Sequence, residues 1–209
     1  LEAGKDILCL CFSSALSTTY QSAVIAAQEL AEEFPERKIH VEDSLCASMG
    51  QGLFVWLCAR QKQKSLKELA AYAGEMKGKV CHWFTVNDLN HLKRGGRVSA
   101  TAALFGTMLS VKPVLHVDDQ GRLVPIEKCR GRRAALLALV DHMEKTASDP
   151  ANQTVFLSHG DCLEDAEFVA EEIRRRFGTK DIRIGYIGPV IGSHTGAGVV
   201  ALFFLGGQR

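Results

Sequence analysis

The side chains of this 209-residue chain best suited to chemistry fall into four short blocks. The first, Phe12-Ser13-Ser14-Ala15-Leu16-Ser17-Thr18-Thr19, places five hydroxyl residues within positions 13–19, where an apolar run gives way to a helical pattern. In an open α/β sheet that junction is where ligands bind. The unpaired N–H groups and partial positive charge of a helix N-terminus suit a carboxylate or a phosphate there. The same hydroxyls also suit simple helix capping. The second block, Leu92-Lys93-Arg94-Gly95-Gly96-Arg97-Val98-Ser99, combines three cations with two glycines that let backbone approach a ligand or turn with positive φ. It also reads as one helix end followed by the next helix start. The third, Glu127-Lys128-Cys129-Arg130-Gly131-Arg132-Arg133, puts arginines where a strand meets a helix, and an arginine can hold a carboxylate or phosphate by two bonds. A helix N-terminus disfavours cations, so an anion nearby is expected. The fourth, residues 187–198, carries Gly188, Pro189, Gly192, Gly196 and Gly198 around His194. That histidine can act as a general base, as a ligand donor or as a structural residue.

Other chemistries fit poorly. No Gly-x-Ser-x-Gly elbow accompanies the serines, so a nucleophilic serine is not indicated. Gly196 to Ala201 formally matches a dinucleotide fingerprint, but a strand-like run follows it where a helix is required. The seven histidines lack i, i+4 pairing, which leaves no metal site and implies no cofactor. Ser158-His159-Gly160-Asp161 reads as a loop with Asp161 capping the next helix. No Cys-x-x-Cys spacing occurs among the seven cysteines. Cysteines scattered as small hydrophobes suggest a reducing, cytoplasmic setting.

The elements that must position these blocks alternate along the chain. Strands are expected over 7–12, 38–42, 80–86, 111–117, 122–129, 154–158, 182–187 and 199–205. Helices are expected over 17–33, 47–63, 65–76, 87–93, 100–107, 131–145 and 163–176, with a short turn near His194. Such alternation implies βαβ units and a largely parallel sheet. Asp118-Asp119-Gln120-Gly121 is a hairpin signal, so the second half should hold a mixed sheet. A boundary near residues 77–80 divides an α/β domain over 1–79 from a second over 80–209. A net charge of +1 without a basic stripe argues against nucleic acid. No stretch of about 18 apolar residues is present, so stable membrane insertion is not expected. Leu1-Glu2-Ala3-Gly4 reads as a helix end, which suggests that an upstream part of the first domain is absent.

Five ordered blocks resemble the DegV family. They are residues 13–23 (a Ser-Ser-Gly-Leu-Ser-Gly-Thr-Tyr-like block), 43–52 (Asp-Ser-Leu-Cys-Ala-Ser-Met-Gly-Gln-Gly), 92–99 (Leu-Lys-x-Gly-Gly-Arg-Ile-Ser-like), 129–132 (Val-Arg-Gly-Arg-like) and 187–198 (Ile-Gly-Pro-Val-Ile-Gly-x-His-Thr-Gly-x-Gly). The resemblance implies a two-domain α/β fold, with a largely parallel sheet in the first domain and a mixed sheet in the second. It implies a non-catalytic carrier that holds a long-chain fatty acid in a tunnel and serves a fatty acid kinase. By motif, Ser13 and Ser14 would contact the carboxylate, Arg130 and His194 would form a basic pair near the acyl head, and Gly96 and Arg97 would complete the site. Met49, Leu53, Leu104, Phe105, Met108 and Leu109 are candidate walls, and each suits a plain core position equally well. A regulatory module with structural lipid, or an acyl- or phosphoryl-transfer enzyme using His194 and Arg130, are the competing readings. The sequence departs from the family blocks at Ala15 and Thr18, where the family has glycine, and at Ser110, where it has asparagine. The family's Thr-Ser-x-Pro-Ser hydroxyl motif has no counterpart in these residues.

Overall fold

A computed structural model describes residues 1–98 and 111–209. The helix expected over 100–107 and the wall candidates Leu104, Phe105, Met108 and Leu109 lie outside the described residues. Strands β1 (Ile7–Cys11) and β2 (Ile39–Asp43) form a small parallel sheet, with α1 (Thr19–Glu33) as their crossover. Helices α2 (Ser48–Ala59) and α3 (Leu66–Met76) follow, and a 3₁₀ turn at Lys77–Lys79 leads into the second sheet. That sheet contains β3 (Val80–Thr85), β4 (Val111–Val117), β5 (Leu123–Arg130), β6 (Thr154–His159), β7 (Asp181–Tyr186) and β8 (Val200–Leu205) in the order β5-β4-β3-β8-β6-β7. Only β6 and β7 run parallel in it; the other pairs are antiparallel. Helices α4 (Leu89–Arg94), α5 (Arg132–Thr146), α6 (Leu163–Phe177) and α7 (Pro189–Thr195) complete the chain.

The larger sheet is covered on both faces, which is why β8 reads as an unbroken apolar run and β3 as one interrupted only by His82 and Thr85. On β3, Cys81 and Trp83 point into a core shared with α5 and α6, while Val80 and Phe84 point into one shared with α2 and α3. On β8, Leu202 and Phe204 take the first side and Ala201 and Phe203 the second. Edge strand β5 carries Pro125 and ends in alternating charge, and a bulge between Val114 and Leu115 shifts its pairing with β4. Both features blunt an edge.

Local signals set the helix ends. Ser65 and Glu68 make a reciprocal capping box at the start of α3. The polar run Gln61 to Lys64 and this cap end α2 at Ala59, four residues short of the expected helix. Helix α6 starts after Cys162, whose amide donates to His159 Nδ1 at 3.3 Å. Asp161 does not cap it; its backbone turns there with φ +55°. Glu164 and Asp165 in the first turn and Arg174 to Arg176 in the last complement the helix dipole. Among the described residues no helix is long and apolar enough to cross a membrane.

Burial holds the imidazoles of His82, His116 and His142 below their ordinary pKa of 6.5, His82 most strongly. Below pH 6.5 the unfolded chain therefore binds protons that the folded chain resists, so stability is lost as pH falls. The urea unfolding midpoint is expected to drop between pH 7 and pH 5; a flat or rising midpoint would contradict this.

Candidate functional site

A cavity of about 530 Å³ lies against the α2 face of the larger sheet. This is within the roughly 300–1,000 Å³ of small-molecule pockets. His82 and Phe84 of β3, with Ala201 and Phe203 of β8, wall its interior and are all buried. Val117 and Leu123, on either side of the β4–β5 turn, extend the apolar wall. Leu92 of α4 and Ile191 and Thr195 of α7 also line it, as do Ala47, Ser48 and Met49 at the start of α2. The exposed lining residues mark its mouth. Thr19 and Arg97 are exposed, Tyr186 is 69% exposed and Val190 71%.

Most polar groups of the lining are half-buried or at the mouth. Ser17 and Thr19 share a hydrogen bond of 2.8 Å between their hydroxyls, and the Thr19 amide donates to Ser17 Oγ at 3.2 Å. Helix α1 begins there with no side-chain cap on Thr18. Arg97 Nε donates to the Leu16 carbonyl at 3.3 Å, which docks the guanidinium on the serine turn. The cavity therefore brings the first, second and fourth sequence blocks together through Ser17, Arg97 and His194.

His82 and Thr195 are the buried polar exceptions; the Thr195 hydroxyl donates to the Ile191 carbonyl within α7 at 3.1 Å, whereas His82 reaches across elements. The His82 Nδ1 lies 2.9 Å from the Val80 carbonyl, and its Nε2 accepts the Ala47 amide at 3.2 Å. The amide donor fixes the neutral tautomer, with the proton on Nδ1. Helix α2 approaches this ring so closely that a Cβ at Gly50 would lie 2.1 Å from Nε2. That close approach is what the first glycine of the Asp43–Gly52 block provides.

The remaining expected residues sit elsewhere. Ser13 is fully buried, and its hydroxyl donates to the Gly121 carbonyl at 2.9 Å, so it joins the β4–β5 turn to the serine turn and is not among the cavity-lining residues. A Cβ on Gly121, where φ is +74°, would meet that hydroxyl at 2.2 Å. Ser14 is held by its amide, which donates to Asp43 Oδ1 at 3.1 Å, and its side chain does not line the cavity either. Gly96 is exposed with φ +69° and open space around it, so its glycine serves the backbone turn and not close approach. Arg130 is exposed at the end of β5 and outside the cavity lining. The anion expected beside the arginines is internal. Arg132 bonds Asp165 of α6 at 2.8 Å, and Arg133 stacks over Phe168 at 3.7 Å. Met49 lines the cavity, while Leu53 belongs to the core below. Among the described residues no group of three or more His, Cys, Asp or Glu side chains could hold a metal ion.

Ser17, Thr19 and His82 carry roles that the sequence did not single out. A histidine inside the mostly apolar Val80 to Val86 run, which also holds Thr85, was the one visible signal, since a buried imidazole is normally hydrogen-bonded.

Fold and site together define a two-sheet α/β protein enclosing an apolar cavity with a hydroxyl- and cation-bearing mouth. The family profile described as "Uncharacterised protein, DegV family" matches residues 1–206, and the chain belongs to that family. A DegV domain-containing protein of Clostridium perfringens is 50% identical over 211 residues, covering 100% of this chain and 72% of its own length. A Thermus thermophilus DegV family protein, described as fatty acid binding, superposes with a TM-score of 0.85 at 29% identity, over 97% of this chain and 71% of its own. The Streptococcus pneumoniae fatty acid kinase B3 protein loaded with linoleic acid superposes with a TM-score of 0.87 over 96% of this chain and 72% of its own; at 22% identity it attests the fold.

Two substitutions separate structural from lining roles. Ser13→Ala leaves the Gly121 carbonyl without its buried donor and is expected to cost about 1–3 kcal/mol in urea unfolding. Gly50→Ala drives a methyl into His82 and should cost a similar ~1–3 kcal/mol by overpacking. Stability unchanged in either variant would refute the contact assigned to it.

Proposed function

We propose that this protein binds a long-chain fatty acid, with the acyl chain in the cavity and the carboxylate at its mouth. The observation that carries the reading is one apolar cavity whose mouth gathers the Ser17 and Thr19 hydroxyls, the Arg97 guanidinium and the His194 imidazole. Each buried methylene contributes about 0.8 kcal/mol, so an acyl chain binds here without a cofactor. A carboxylate leaving water needs several hydrogen bonds to offset its desolvation. Two hydroxyls, an arginine and the start of α1 supply them. Ser13 and Ser14 shape this turn from behind. The Thermus relative, described as binding fatty acid, supports the same ligand class.

The protein acts in this reading as a non-catalytic carrier in the cytoplasm, presenting its carboxylate to a fatty acid kinase for acyl-phosphate formation. The family resemblance supports that step. Lys93, Arg94, Gly96 and Arg130 are exposed, as a surface meeting a partner and its transferred phosphoryl group requires.

Mass spectrometry of protein purified after bacterial expression and extracted into organic solvent is expected to find a stoichiometric long-chain acid. Its absence, together with no binding of added fatty acid, would sink the reading. Arg97→Ala is expected to weaken fatty acid binding about tenfold or more, the size of one hydrogen bond to a charged group. Acyl-phosphate formation by a fatty acid kinase with ATP should require this protein; turnover by the protein alone would overturn the carrier role.

A further inference from the structure

Two glycine-bearing segments interlock beside the cavity mouth. His194, near the end of α7, lies against Gly95, the residue that closes α4. A Cβ at Gly95 would come within 2.2 Å of His194 Nδ1 and 3.1 Å of its Cε1. In return, the backbone at Gly196 rests on the His91 ring, where a Cβ would stand 3.1 Å from Cγ. Each histidine thus occupies space that a side chain on the opposing glycine would claim.

The two glycines of the second block differ in what they need. Gly96 has φ +69° and nothing near its would-be side chain, so its backbone demands glycine. Gly95 has φ −71° and ψ −8°, which any residue adopts, and it accepts no positive φ. Space alone accounts for glycine at 95. The space is filled by the ring of a cavity-lining residue, whose α7 neighbours Ile191 and Thr195 line the same cavity.

We propose that Gly95 is a positioning residue for the head-group end of the site: its missing Cβ is the socket that seats the His194 imidazole at the mouth. The inference rests on the fatty-acid reading and deepens it. His194 has a defined place only because α4 ends in a residue without a side chain, and His91 holds the return of α7 into β8 from the other side.

Gly95→Ala tests this with little risk to folding, because the backbone there is helical and alanine favours helix. Dissociation constants would be measured for a long-chain fatty acid and for the fatty alcohol of equal length. The expected result is a loss of about tenfold in the preference for acid over alcohol, with alcohol affinity kept. His194→Ala should cause a similar loss, and adding Gly95→Ala to it should cause none, since the ring that the methyl displaces is already gone. Equal weakening of acid and alcohol would mean a merely structural glycine and would overturn the proposal. So would an unchanged preference in Gly95→Ala, or a further loss in the double variant. Wild-type protein that binds neither ligand would instead remove the fatty-acid reading itself, and this inference with it.

Discussion

The joint between the two sheets depends on a neutral histidine that burial keeps from charging. His82 ties its own strand to the start of α2, with one ring nitrogen at the Val80 carbonyl and the other at the Ala47 amide. Burial pushes its pKa well below the ordinary value, and the Arg209 guanidinium pushes the same way. A charged imidazole would have no lone pair for Ala47. Neutrality is therefore a condition for α2 to sit where it does, and α2 carries Ala47, Ser48 and Met49 into the cavity wall. Gly50 completes the joint by letting the helix close onto the ring.

Arg209 reinforces the same seam. Its guanidinium donates to the carbonyls of Lys77, Leu45, Val80 and Asp118 at 2.6–3.2 Å. Those carbonyls come from the turn before β3, the loop after β2, the first residue of β3 and the hairpin after β4, respectively. Ser13 adds a fifth tie, to Gly121 at the hairpin tip. A cavity between two layers needs walls that do not collapse into it, and here the walls are pinned by hydrogen bonds around its margin.

Much of the architecture was legible because strong local signals agreed with each other. The β3 and β8 runs and the Asp118-Gly121 hairpin each announced an element that the structure contains. Boundaries failed where two signals competed. The apolar pattern of α2 pointed past residue 60, but the Ser65 cap started a new helix and polar residues filled the gap. Helix α6 starts at Leu163 as expected, but its expected cap Asp161 does not hold it: His159, folded over, accepts the Cys162 amide instead. The arginines of the third block called for an anion, and the anion proved to be Asp165, 33 residues on. Reading the serine turn from composition could not show which hydroxyls face inward, because that depends on the Gly121 carbonyl arriving from 108 residues away.

Residue types and spacing were enough to establish the alternating α/β order and the mixed second sheet, and five ordered blocks carried the resemblance to one family. The order and the sheet type follow from local periodicity and short-range turn chemistry, which a linear chain carries in full. Which side chains share the cavity was decided only by the tertiary structure. Ser17, Arg97 and His194 are separated by as many as 177 positions and meet because the start of α1, the segment after α4 and the end of α7 border one cavity. The distinction between Gly95 and Gly96 has the same origin. Adjacent and identical in sequence, one is glycine for its backbone angle and the other for a ring that approaches from the far end of the chain.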